Sequence, residues 1–441
     1  GKSWSSMAGD LPDRHLVWRL VQDHVQPSLF FVGTELGVFF TIDGGQRWVK
    51  LEGNAPTISF RDLAIQRREN DLVGATFGRG FWILDDYTPL RGITPAALDK
   101  DALLFGPRKA WWYIEQEVLG SEAKGAQGGG YFVAPNPPFG ATITYYLKED
   151  LTTREDRRRD REKVSIAQGK DTPFEGWDAI EAERREAEPA IILTVRDAEG
   201  EPVRRVLGPH RAGMHRVTWD LRRPPPDALG ARPEYKYARY EPPKGVLVAP
   251  GQYSVTLDKR VNGKTVQLAG PVEVDVVPMR KGALPSAAPE EVAAFWRRIS
   301  DLRRQVSAAQ MVFKGAGERL KALSEALAYT ETAPGGLDAE LEAMRLELDD
   351  ILVSLRGNQS RRGAREPSVH SVEDRLFFAA DGTLGSTYGP TPAHRHQMAL
   401  AEKEFAAIRT RLNALLKTKL PALEAKLREA GAPWSTGQPI P

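Results

Sequence analysis

The chain has no cysteine among its 441 residues. Disulfides, thiolate zinc sites and cysteine nucleophiles are thereby excluded, and so is a small disulfide-stapled ectodomain. No apolar run approaches the roughly 18 residues that a membrane-spanning helix needs. Charge of one sign is missing too. The 61 basic and 59 acidic side chains leave a net charge of +2, with no field to steer the chain toward nucleic acid or an anionic membrane. There are only seven histidines, and the pair His394-x-His396 has no third ligand at zinc spacing. A G-x-S-x-G elbow, a Walker loop, a G-x-G-x-x-G after a strand and an H-E-x-x-H are all absent. No motif asks for a cofactor or a metal.

What remains is ordinary globular composition, 41% hydrophobic and 27% charged, in a chain long enough for about two to four domains. Its most informative feature is a repeat at the start. VWRLVQD (17–23) matches FRDLAIQ (60–66), so that Leu20 aligns with Leu63. GTELGVFFTID, from Gly33 to Asp43, matches GATFGRGFWILDD, from Gly74 to Asp86, aligning Phe39 with Trp82. Gly1-Lys2-Ser3-Trp4 matches Gly45-Gln46-Arg47-Trp48. A period near 43 residues filled with short apolar strands is the spacing of β-propeller blades. Residues 16–22, 29–33, 37–42 and 47–51 read as one four-stranded blade. Residues 61–66, 71–76 and 80–85 read as three strands of the next.

The turn Thr41-Ile42-Asp43-Gly44-Gly45-Gln46-Arg47-Trp48 resembles the Asp-box of the bacterial neuraminidase repeat, S-x-D-x-G-x-T-W. The resemblance implies a scaffold role: Asp43 accepts backbone N–H groups inside the turn, Gly45 supplies a permissive backbone, and Trp48 packs between blades. Thr41 and Arg47 depart from the commonest residues. The longer run LFFVGTELGVFFTIDGGQRWVKL, RDLAI and GATFGRGFWILDDYTPLR is similar to the last blades of Asp-box propellers related to the sortilin and Vps10 domain. Bacterial members of that group are often labelled glycosyl hydrolases. WDLRRP, PGQYSV and the late GAPW extend the similarity along the chain. The resemblance implies a secreted, periplasmic or cell-surface protein. Two and a half blades cannot close a ring, and their exposed edges invite aggregation. Remaining propeller blades, from a segment before Gly1 or from another chain, are therefore expected as a partner.

Beyond the blades the sequence predicts a linker over 96–140, with Gly, Ala and Pro concentrated over 120–140. A β-sandwich of immunoglobulin or fibronectin type follows over 141–280. Its strand candidates are ATITYYLKE, AIILTVRD, HRVTWDLR, GQYSVTLDKR and TVQLAGPVEVDVV, with a hairpin signal at Asn262-Gly263. The insertion 150–188 mixes both charges densely and reads as solvated helix or loop, with Phe174 and Trp177 pinning it to a neighbouring surface. An antiparallel helical bundle is expected over 285–430, and a tail over 431–441. Val292, Phe295, Ile299, Leu302 and Val306 form one apolar face. Leu337, Leu341, Met344, Leu348, Ile351 and Leu355 form another, and Met398, Phe405 and Leu412 step by sevens. Loops are expected at 329–336 and 357–392, and Pro421 should kink the last helix.

The fold class is thus multidomain: all-β blades and a sandwich, then an all-α bundle. Glycoside hydrolysis would need two carboxylates across a cleft. The candidates are Glu35, Asp62, Asp85 and Asp86. Glu35 and Arg79 fall in inter-strand segments where a propeller mouth would lie, Asp62 follows Arg61 and is placed to pair locally, and Asp86 stands where turn capping is expected. The preferred function is a non-catalytic scaffold binding a protein, peptide or glycan. The alternative is a hydrolase of xyloglucanase-like propeller type with its carboxylates mostly outside this chain. Assembly into a cell-surface complex through the helices is a third reading.

Overall fold

A computed structural model describes residues 3–115, 134–229, 244–280, 282–331 and 335–435. The Gly1-Lys2 part of the repeat, most of the loop expected over 120–140 and the end of the tail lie outside the described residues. The chain divides into two compact units. The first takes in the described residues of Gly1–Trp112, Glu117–Leu221 and Gly251–Val277. The second takes in those of Tyr113–Gln116, Arg222–Pro250 and Pro278–Pro441.

The first unit opens with two antiparallel sheets, each laid down in sequence order. Strands β1 (Val17–Gln22), β2 (Phe30–Thr34), β3 (Gly37–Thr41) and β4 (Val49–Lys50) form one. Strands β5 (Phe60–Gln66), β6 (Asp71–Thr76) and β7 (Phe81–Leu84) form the other. Their registers coincide. Leu20 faces Val32, which faces Phe39; in the second sheet Leu63 faces Gly74, which faces Trp82. The sequence match of Gly33 with Gly74 is off by one, because the path from β5 to β6 is one residue shorter than that from β1 to β2. Gly33 takes the place of Ala75.

The sheets pack face to face through Leu29, Phe31 and Val38 of the first, Phe60, Leu63 and Leu72 of the second, and Tyr87. Close approach depends on Gly33, where a Cβ would stand 2.6 Å from the Phe60 carbonyl oxygen. A polar staple accompanies this core. Asp23, in the turn after β1, has no exposed side-chain surface. It accepts hydrogen bonds from Arg91 Nη2 (2.8 Å) and Nε (2.9 Å) and from the Tyr87 hydroxyl (2.7 Å). Arg91 also donates to Asn70 Oδ1 at 2.7 Å.

Eight further strands of this unit form two sheets. The smaller has the order β13-β10-β8, from Gly213–Trp219, Ala141–Leu147 and Ala102–Phe105. The larger has the order β12-β11-β14-β15-β9, from Pro202–Gly208, Ala190–Arg196, Gly251–Val261, Lys264–Pro278 and Ala110–Trp112. The stretch expected as linker over 96–140 therefore supplies two strands, β8 and β9, after a short helix α1 (Pro95–Leu98). ALLF and AWW are too short to register as strands in sequence, and pairing with β10 and β15 fixes them. Trp219 and Tyr253 meet edge-on, ring centroids 5.2 Å apart, in the core of these sheets. The β14–β15 turn at Asn262-Gly263 has positive φ at both residues, the backbone that an Asn-Gly hairpin provides. The charged insertion forms helices α2 (Arg154–Ala167) and α3 (Trp177–Arg185), joined by Arg158 on Glu183 at 2.9 Å. Phe174 and Trp177 do not pin it to a neighbouring surface. They stack on each other at 5.1 Å and remain exposed.

In the second unit, α4 (Pro289–Leu327), α5 (Gly336–Arg356), α7 (Val372–Leu384), α8 (Pro392–Ala414) and α9 (Leu420–Glu429) pack on one another, with a short α6 at Gln359–Gly363. The apolar faces read from sequence are buried at Val292, Phe295, Ile299, Leu302, Val306, Leu341, Leu348, Ile351, Leu355, Met398, Phe405 and Leu412. The loop expected over 357–392 contains α7, whose Ser371–Asp374 capping box defines its start. Its buried stripe includes the small residues Ala379, Ala380 and Thr383 while Phe377 and Phe378 face outward, so hydrophobic periodicity concealed it. Pro421 has no amide to give and would crowd the carbonyl four residues back. The helix absorbs this in a π turn at Leu415–Lys419 before α9 begins.

Candidate functional site

The two opening sheets share an irregularity at one end. Val17 pairs with Thr34 and Arg19 with Gly33, which leaves Trp18 without a ladder partner. In the second sheet Phe60 pairs with Thr76 and Asp62 with Ala75, which leaves Arg61 without one. Both are β-bulges, and they fall at the same place in the repeat. A bulge turns a side chain out of the alternation that the pleat imposes. Here the two displaced side chains meet: the Arg61 guanidinium carbon lies 3.7 Å from the Trp18 ring centroid. Phe77, in the β6–β7 turn, stands on the same guanidinium at 5.2 Å. The two rings remain 39% and 72% exposed.

One sequence candidate, Glu35, belongs to this cluster, and a second, Asp62, follows Arg61 in β5. Glu35, in the β2–β3 turn, accepts the Trp18 indole N–H on Oε2 at 2.7 Å and thereby fixes the ring. Asp62 Oδ1 lies 3.2 Å from Arg19 Nε and accepts the Leu63 amide at 2.9 Å. Arg79 is exposed in the same turn as Phe77. Sequence reasoning singled out Glu35, Asp62 and Arg79 but missed Trp18, Arg61 and Phe77. The repeat aligns Trp18 with Arg61, but the two strands also carry Arg19, Gln22, Asp62 and Gln66, so nothing in either strand alone set these two apart.

Asp86 lies at the far end of β7 from the Phe77 turn, a strand's length away. It is buried and adopts positive φ. Its Oδ1 accepts from the Thr88 hydroxyl at 2.6 Å and the Thr88 amide at 3.3 Å, and its carbonyl accepts from Arg216 at 3.0 Å. That is the work of a turn cap. Next to it, burial and then the charge of Asp71 push the Asp85 carboxyl above its ordinary range.

The turn from Thr41 to Trp48 is closed by its own polar groups. Asp43 Oδ1 accepts from the Thr41 hydroxyl at 2.7 Å, the Gln46 amide at 2.9 Å and the Arg47 amide at 3.1 Å. The Thr41 hydroxyl, chief among these, holds the carboxyl below its ordinary range. Gly45 has φ +96° and lies against Met7, where a Cβ would stand 2.9 Å from the carbonyl oxygen. Trp48 packs with Val32 and Phe39 and donates its indole N–H to the Met7 carbonyl at 3.0 Å. Elsewhere, a cleft of about 710 Å³ lies between α4 and α5. On its α5 wall, Glu342, Arg345 and Asp349 pair among themselves, and Asp338 caps the helix start.

No family model matches the chain, and no curated protein matches it. Among solved structures, it is similar to the extracellular domain of the putative one component system BT4673 from B. thetaiotaomicron, at 11% identity and a TM-score of 0.13. A second structure, described as the extracellular domain of the putative hybrid two component system BT4673, gives 10% identity and a TM-score of 0.14. Each alignment covers 60% of this chain, which spans about a quarter of either structure (25% and 26%).

Proposed function

We propose that the chain is part of a secreted or cell-surface β-propeller of the Asp-box kind, related to the sortilin-like bacterial proteins, and that it acts as a non-catalytic binding scaffold. On this reading the opening sheets are successive blades, β8–β15 form an immunoglobulin-like sandwich, and the helices form a bundle.

One observation carries the blade reading. Val38 on the first sheet packs against the second and is 5% exposed, whereas its counterpart Phe81 on the second sheet is 77% exposed. Phe40 and Ile83 repeat the contrast, with Ile83 at 59%. On the opposite faces, Leu63 is 1% exposed against the first sheet while its counterpart Leu20 is 43% exposed. The joint between the sheets is therefore heterologous, with one half left open on the second sheet and apolar there. Such a joint propagates, into a closed ring where the rotation permits. The occupant that fits is another sheet of the same build.

Binding is favoured over hydrolysis by the state of the carboxylates. Glu35 and Asp62 are each engaged, by Trp18 and by Arg19, whereas glycosidases work with a pair of carboxyl groups free to act across a cleft. Light scattering over a wide concentration range tests the blade reading. Self-association is expected, and Phe81→Lys with Ile83→Thr should suppress it. A chain that stays monomeric at the highest concentrations, or associates equally as the double variant, refutes the open joint. Turnover of any polysaccharide in a hydrolysis panel, lost in Glu35→Gln or Asp62→Asn, would replace the binding reading with the hydrolase one.

A further inference from the structure

We propose that the Trp18–Arg61–Phe77 cluster binds a carboxylate-bearing saccharide, with Arg61 gripping the carboxylate of a uronate ring. The inference deepens the binding reading and rests on it.

The cation is prepared for a ligand that the chain itself does not supply. Arg19, Arg91 and Arg108, in or beside the same two sheets, each hold a carboxylate. Among the described residues Arg61 holds none, and its recorded contacts are the two rings. The Trp18 and Phe77 rings satisfy the cation through their π faces, which takes up none of the hydrogen-bonding capacity of its N–H groups. Those groups form a planar fork whose spacing matches the two oxygens of a carboxylate. The rings also restrict the side chain before any ligand arrives, which removes much of the ordering cost of binding. The indole is itself held by Glu35, so the platform is fixed at two points.

The surroundings select the rest of the ligand. Among the described residues, Glu35 Oε1 and Asp62 Oδ2 have no hydrogen-bond partner, since the recorded bonds fall on Oε2 and Oδ1. These oxygens only accept. A partner must therefore bring hydroxyl or amine donors together with the carboxylate that Arg61 holds. A strongly acidic peptide would be repelled by both carboxylates. The exposed Phe77 ring adds an apolar face of the kind on which a sugar's C–H groups rest. A hydroxyl-rich ring bearing one carboxylate meets all three demands. The double bulge supplies an independent reason to look here, because it alone brings Trp18 and Arg61 out of their ladders toward each other.

The test is calorimetric titration of the full chain with trigalacturonate, its methyl ester, and a short neutral peptide with a free terminal carboxylate. Trigalacturonate is expected to bind, more tightly at low salt than at high salt, and the ester at least about tenfold more weakly. Arg61→Gln and Arg61→Lys should each weaken binding by about tenfold or more, since lysine lacks the fork. Phe77→Ala, at an exposed turn, should weaken it severalfold with an unchanged melting temperature, and it keeps the test alive if the Arg61 variants fold poorly. No binding of trigalacturonate, equal binding of the ester, or indifference to these substitutions overturns the proposal. So does a peptide that binds as tightly as the sugar. The open joint on Phe81 is read by light scattering alone, so either idea can fail while the other stands.

Discussion

Asp23 and Arg91 are joined by two hydrogen bonds, from Nη2 at 2.8 Å and Nε at 2.9 Å, across 68 residues of chain. The carboxylate belongs to the first sheet's opening turn and the guanidinium to the segment leaving the second. The pair thus ties the exit of one sheet to the entrance of the other, over the apolar core between them. Burial, the largest influence on Asp23, raises its carboxyl. The hydrogen bonds from Arg91, Tyr87 and the Gln26 amide together outweigh it and hold the group well below the ordinary carboxylate range. Burial and the same carboxylate push the Tyr87 hydroxyl up.

A depressed carboxyl contributes stability that is fully present above its unfolded value of about 3.9 and is lost as pH falls below it. Urea unfolding midpoints should therefore drop as pH is lowered from about 4. Asp23→Asn should flatten that drop. Asp23→Ala at neutral pH should cost about 2–4 kcal/mol, because the half-buried Arg91 loses its carboxylate partner and keeps only Asn70. A variant as stable as the parent would show that the staple is not coupled to folding.

Gly33 sits at a close approach of the two sheets. Gly33→Ala places a methyl group against the Phe60 carbonyl, at a distance no real Cβ tolerates. Backbone cannot swing aside as a side chain can, so a loss of about 1–3 kcal/mol is expected. Gly44→Ala is a useful contrast. It has open space around its Cβ but positive φ, so its cost is purely conformational and should be nearer 1 kcal/mol. Thermal melts of the two variants check the difference.

Asp43 is expected to matter for stability and not for recognition. Asp43→Ala removes the acceptor for two backbone amides and one hydroxyl, and should destabilise by about 1–3 kcal/mol. Binding to trigalacturonate at the other end of the sheets should be unchanged once the variant is folded. A binding defect in a fully folded Asp43→Ala protein would move the turn from scaffold to site.

The sequence revealed most where a short-range signal sufficed. The repeat placed seven strands to within a residue or two, because Val, Phe, Ile and Leu alternate there between Gly and Asp punctuation. Asn262-Gly263 announced its own hairpin. The long helices were visible in the spacing of Leu341, Leu348 and Leu355. Elements defined by distant partners were hidden. ALLF and AWW become strands only because β10 and β15 lie beside them, and α7 buries small residues where pattern reading looks for large ones. At the candidate site, Glu35 and Asp62 stood out as carboxylates in suggestive positions. Trp18 and Arg61 did not, because a bulge is a property of two paired strands and leaves no mark in either alone.

A residue without a ladder partner can be exchanged at little expense to the sheet that carries it. Trp18 and Arg61 already show two very different occupants of one such position. In the proposed array of such units, one rim would display a row of independently replaceable letters on a constant support. New specificities would be written there by single substitutions, while the hydrophobic joints between sheets stayed as they are.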